Sequence, residues 1–77
     1  MNRDEKEQLK AIGAVLKERR LSQGLTQEAV ASRLGKSQSF VVKVEQGLRR
    51  ICIIDIFRFL KIYKLSAREF IGLFMKE

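Results

Sequence analysis

Apolar residues recur along this chain at intervals of three and four and never in the alternation of a strand, so the pattern predicts helices throughout. Leu9, Ile12 and Leu16 form one stripe, with Ala11 and Val15 beside it, which predicts a first helix from about Asp4 to Leu21. Asp4 and Glu5 near its start and Arg19 and Arg20 near its end both suit the helix dipole. Gly24 closes this unit, and Leu25 is placed to plug the core. A second helix, about Gln27–Leu34, follows the N-cap Thr26, with Val30, Ala31 and Leu34 on one face and Gly35 as its stop. Ser37 caps a third, about Gln38–Gln46, with Phe40, Val41 and Val44 at helical spacing until Gly47. A fourth runs from about Ile53 to Tyr63, with Ile53, Ile56, Phe57 and Leu60 on its inner side. The fifth opens on the capping box Ser66-Ala67-Arg68-Glu69 and carries Phe70, Ile71, Leu73, Phe74 and Met75 toward about residue 76.

Two short helices joined by a tight turn across residues 26–47 form the pattern of a helix-turn-helix. The 77 residues allow a single all-α domain spanning 1–77. A core of this size buries only about 60% of the surface of the unfolded chain, so association with a second copy would help it. The net charge of +7 and pI of about 10.1 point to a polyanionic partner, nucleic acid or an anionic membrane. The excess is local. Residues 1–18 balance, whereas 33–50 hold Arg33, Lys36, Lys43, Arg49 and Arg50 against Glu45 alone. A second basic run follows at Arg58, Lys61, Lys64 and Arg68. The basic residues do not lie opposite one continuous apolar face, which argues against a membrane-surface helix.

Catalysis is not expected. Histidine is absent, the carboxylates are scattered, and no glycine-rich phosphate loop appears. Cys52 is the sole cysteine, so it has no disulfide or metal partner and reads as a buried or half-buried thiol. No metal or cofactor is expected. The start MNRDEKEQ is not a targeting segment and no apolar run is long enough to span a bilayer, so a cytoplasmic protein is expected.

The stretch IGAVLKERRLSQGLTQEAVASRLGKSQSFVVKVEQGLRR, followed by an apolar helix and KLSAREF, resembles the lambda-repressor-like helix-turn-helix family of the Cro/repressor or XRE type. The pieces GLTQ, SQSFV and KVEQG at these separations carry the resemblance, which covers Ile12 to Phe70. It implies a five-helix fold with the helix-turn-helix at helices two and three, and a transcriptional regulator that binds duplex DNA. Among small members, the controller proteins of restriction–modification systems and phage-type repressors fit best. Two positions depart from the family pattern. The turn residue Lys36 is usually apolar, and Cys52 stands where Asp or Ser usually caps helix four.

Base reading needs side chains that reach edges in the major groove. Gln38, Ser39 and Lys43 are the residues the resemblance favours: Gln pairs with adenine N6 and N7, and Lys donates to guanine O6 and N7. Phe40 and Val42 are candidates for a thymine methyl, Phe40 fitting the core and the groove rim equally. Phosphate contacts are expected from Gln27 at the start of helix two, where free amides attract an anion, and from Lys36, Arg49 and Arg50. Arg33 either joins them or is simply solvated. The resemblance further implies a partly buried ion pair between Arg20 and Glu45 that orients the third helix.

Family members usually bind as two-fold dimers with half-sites about one helical turn apart. Helix five, about 66–76, is the expected interface, because one small core cannot bury Phe70, Leu73 and Phe74 together; Ile71 joins this set. The expected partners are operator DNA and a second copy, with RNA polymerase as a further contact. The competing expectation is an interaction module, such as an antitoxin bound to a toxin, although no long extension is present to wrap one.

Overall fold

A computed structural model describes residues 2–75. Five helices make up the described chain: α1 Arg3–Ser22, α2 Gln27–Leu34, α3 Gln38–Glu45, α4 Ile53–Tyr63 and α5 Ala67–Phe74. They lie where the apolar periodicity puts them. The expected extension of the last helix to residue 76 falls outside the described residues.

Side-chain caps start most of the helices. Asn2 accepts from the Glu5 amide, Thr26 from Ala29 at 3.0 Å, and Ser37 from Phe40 at 3.1 Å. Each such cap contributes about 1 kcal/mol. Ser66 and Glu69 form the reciprocal box at α5. The Ser66 amide and hydroxyl hold the Glu69 carboxyl below the usual carboxylate range. Helix α4 differs, since Cys52 makes no cap bond to the backbone. Its thiol instead donates to Asp55 Oδ2 at 3.4 Å and is exposed, not buried as the sequence suggested. At the exposed start of α4 the thiol is turned toward the Asp55 carboxylate rather than into the core.

The core centres on α4. Phe59 and Tyr63 are fully buried, and Phe59 stacks on Phe40 of α3 with centroids 6.3 Å apart. Leu16, Val30 and Val41 close around them from α1, α2 and α3. The inner face of α4 is therefore Ile56, Phe59, Leu60 and Tyr63, rotated from the one the sequence suggested. Ile53 and Phe57 point outward, 59% and 55% exposed. Period alone could not set the rotation of a helix that is apolar on nearly every side.

Long polar side chains tie the layers together. Arg19 donates from α1 to the carbonyls of Tyr63 and Lys64 at the end of α4. Arg58 donates from α4 to the Leu34 carbonyl, one of the last in α2. Gly47, after α3, is required twice over. Its φ is +70°, and a Cβ there would lie 2.7 Å from the Lys10 Cα.

Helix α5 packs its Phe70 into the same core, 6% exposed, with Phe74 half-buried and stacked on it at 6.0 Å. The expectation that Phe70 lies on an open association surface is thus corrected: its own protomer covers it. Ile71, Leu73 and Met75 remain outside, at 53%, 45% and 65% exposure.

Candidate nucleic-acid interface

Helices α2 and α3 meet through a three-residue turn in which Gly35 adopts a left-handed conformation and the Lys36 amide donates to the Ala31 carbonyl. Val30, Ala31, Leu34, Val41 and Val44 bury the inner faces of the pair. The outer face of α3 is left polar. Gln38, Ser39 and Lys43 are exposed there, and Val42 is half-buried at their edge. These four lie on one side of a helix narrow enough to enter a major groove.

Beneath that face sits a polar knot. Arg20 of α1 donates from Nε to Glu45 Oε2 at 2.7 Å and from a terminal nitrogen to Oε1 at 3.1 Å. The two side chains are 8% and 2% exposed. The other terminal nitrogen of Arg20 donates to the Leu25 carbonyl at 2.8 Å, and Gln27 Nε2 donates to Glu45 Oε1 at 3.0 Å. The bond to Glu45 raises the Arg20 pKa further, so the guanidinium stays charged throughout. One carboxylate thereby joins α1, α2 and α3 and fixes the tilt of α3 against the other two. Charge-assisted two-point pairs of this kind carry geometric specificity.

The helix-turn-helix family model matches residues 16–70. The chain belongs to the helix-turn-helix family. It is a DNA-binding transcriptional regulator, and its family and structural neighbours are regulatory proteins rather than enzymes. The chain is similar to the restriction–modification controller protein C.AhdI from Aeromonas hydrophila, at 32% identity and a TM-score of 0.75 over 80% of this chain and 94% of that one. It is also similar to the controller protein C.Esp1396I, whose structure is a tetramer on its natural 35 base-pair operator. There the identity is 25% and the TM-score 0.79, over 90% and 91% of the two chains. No curated protein matches the sequence. No described helix is long and apolar enough to cross a membrane.

Within this helix-turn-helix, the cations separate into distinct environments. Lys36 and Arg49 flank α3, both within cation–π range of the Phe40 ring. Arg50 turns back to α1 and pairs with Glu5 at 2.6 Å. Arg33 stays at the far end of α2, in a groove shared with Arg58, Lys61 and Lys64, away from the outer face of α3. Gln27 is partly committed, since one side-chain donor is held by Glu45. Phe40 is corrected as a groove residue. At 7% exposure its ring is part of the core, because Phe59 offers it a stacking partner.

Several features of this surface carry no local signal in the sequence. Nothing local marked Glu5 as the partner of Arg50, 45 residues away. Nothing marked Ile53, Ile54 and Phe57 as an exposed apolar set at the start of α4. The only available signal for the latter was that α4 has more apolar residues than one helix face can hold.

Proposed function

We propose that the protein acts as a homodimer that occupies a two-fold symmetric operator, with α3 of each protomer in a major groove. The observation that carries this is the outer face of α3. Gln38, Ser39 and Lys43 are exposed on a helix whose inner face and tilt are fixed by the core and by the Arg20–Glu45 pair. In this reading those three side chains meet base edges, and Val42 lies against a thymine methyl. Lys36 and Arg49, with the free amides at the start of α2 beside Gln27, meet the backbone. Arg50 joins them once it leaves Glu5. The likeness to C.AhdI and C.Esp1396I supports a role of the controller type in the cytoplasm, with control exerted through protein concentration.

The exposed Ile71 and Leu73 of α5, with Met75 just after it, supply the surface for the second copy, and the half-buried Phe74 lies between the first two. Large apolar side chains grouped on a small monomer mark an association surface. Sedimentation of the protein alone and with duplexes carrying one or two half-sites tests the proposal. Two protomers per two-half-site duplex, with a dimer in free solution, is the expected result. One tight monomer per duplex contradicts it.

A further inference from the structure

Phe40 holds two cations that approach it from different segments of the chain. Lys36, in the turn before α3, places Nζ 5.3 Å from the ring centroid. Arg49, in the loop after α3, places its guanidinium carbon 4.6 Å from the same centroid. The two charges are therefore no farther apart than these distances laid end to end. Both residues are exposed, whereas the ring is buried and braced by Phe59 at 6.3 Å. Arg49 is further restrained, since its Nε donates to the Arg50 carbonyl at 3.0 Å. Its terminal nitrogens make no hydrogen bond within the described chain. Arg50, one residue on, is paired with Glu5, whereas neither Lys36 nor Arg49 has an acidic partner among the described residues.

Two like charges held over one ring, without a carboxylate between them, make a site for an anion. We infer that Lys36, Arg49 and the Phe40 ring form a single clamp for one stretch of sugar–phosphate backbone. Phe40 acts in it as a positioning residue that touches no DNA. The inference rests on the duplex-binding reading above and deepens it, because it assigns the phosphate contacts unequally. The clamp cations are preset by a residue of α3 itself, so engaging the backbone and inserting α3 become one event. Arg50 must instead give up Glu5 before it contributes. The rigid ring limits the rotamers the two long side chains sample, which lowers the ordering cost at binding.

The test is anisotropy titration of a fluorescein-labelled duplex pool of random sequence against salt, where backbone contacts dominate. K36Q and R49Q should each lower the slope of log affinity against log salt by about 0.9. F40L, which keeps an apolar side chain in the core, should weaken binding and lower the slope although it removes no charge. F40Y, which keeps the ring, should retain the wild-type slope. In the F40L background, K36Q should cost less than it does alone, the signature of coupled residues. A merely structural role for Phe40 would lower the melting temperature and leave the slope of the folded fraction unchanged. F40L that is folded with a wild-type slope, or K36Q and F40L effects that add, overturns the clamp. Should F40L not fold, R49Q combined with K36Q decides: losses of affinity at fixed salt that simply add, with no coupling, overturn it. Wild-type protein that binds no duplex overturns the parent reading, and the clamp with it.

Discussion

Gly13 of α1 lies directly against the carbonyl oxygens of Val44 and Glu45 at the end of α3. A Cβ on Gly13 would fall 2.5 Å from the Glu45 oxygen and 2.8 Å from its carbonyl carbon. This contact sets how closely α1 approaches α3, at the residue that also binds Arg20. Because the obstructing atoms are backbone, no side chain can swing away. Gly13→Ala should therefore destabilise the fold by about 2–3 kcal/mol, although alanine is the better helix former by about 1 kcal/mol. Gly72 in α5 is the internal control, since nothing lies within 4 Å of its Cβ position. Gly72→Ala should stabilise by about 0.5–1 kcal/mol. Urea melts of the two variants check both signs.

The Arg20–Glu45 pair is too buried to behave as a surface bridge. Removing one partner leaves the other charged and uncompensated, so Arg20→Ala should cost about 3–5 kcal/mol. Replacing both by apolar residues of similar volume should recover most of that loss while weakening DNA selectivity, because Gln27 loses its acceptor and the tilt of α3 is no longer fixed. Chemical denaturation of the single and double variants measures the recovery. An Arg20→Ala protein as stable as the parent would show that the pair holds nothing together.

Tyr63 is buried at the end of α4, and its hydroxyl has no hydrogen-bond partner among the described residues. Burial pushes the phenol pKa well above its ordinary value of 10. The unfolded chain ionises first as pH rises, so this group's contribution is fully present below about pH 10 and is lost as pH climbs above it. Tyr63→Phe removes an unsatisfied polar group and should raise stability by about 1 kcal/mol near neutral pH. It should also remove the Tyr63 share of the alkaline loss, visible in melting temperatures between pH 9 and 11.

Leu73 is the apolar residue of α5 that both faces outward and sits beside α1, next to Val15 and Arg19. A charge there should leave the monomer fold intact, since the core residue of α5 is Phe70. Leu73→Glu should sediment as a monomer and bind a two-half-site duplex at least tenfold more weakly, while its circular dichroism stays unchanged. Phe70→Glu should instead unfold the chain.

Much of this architecture was legible in the sequence because it rests on local signals. Thr26, Ser37 and Ser66 are caps, and Gly35 and Gly47 are stops. The apolar spacing in α2 and α3 leaves one buried face each. Helix α4 was legible as a helix but not in its rotation. Ile53, Ile54, Ile56, Phe57, Phe59, Leu60 and Ile62 surround it, and the packing of Phe59 against Phe40 and Tyr63 selects the inner side. Phe40 was ambiguous for the same reason, as its partner lies 19 residues on. The Gly13 contact, the Glu5–Arg50 pair and the shared ring beneath Lys36 and Arg49 depend on where separate segments meet, which no local pattern encodes.

In the proposed function, α3 reads base edges in duplex DNA and two copies do so together. Selection of bound duplexes from a random library, followed by sequencing, tests it most directly, with Gln38→Ala run in parallel. A two-fold symmetric consensus with half-site centres about one helical turn apart is expected. Gln38→Ala should relax one position in each half-site at a cost of about 1–3 kcal/mol. Weak binding with no enriched sequence, or a consensus that Gln38→Ala leaves unchanged, would contradict the proposal.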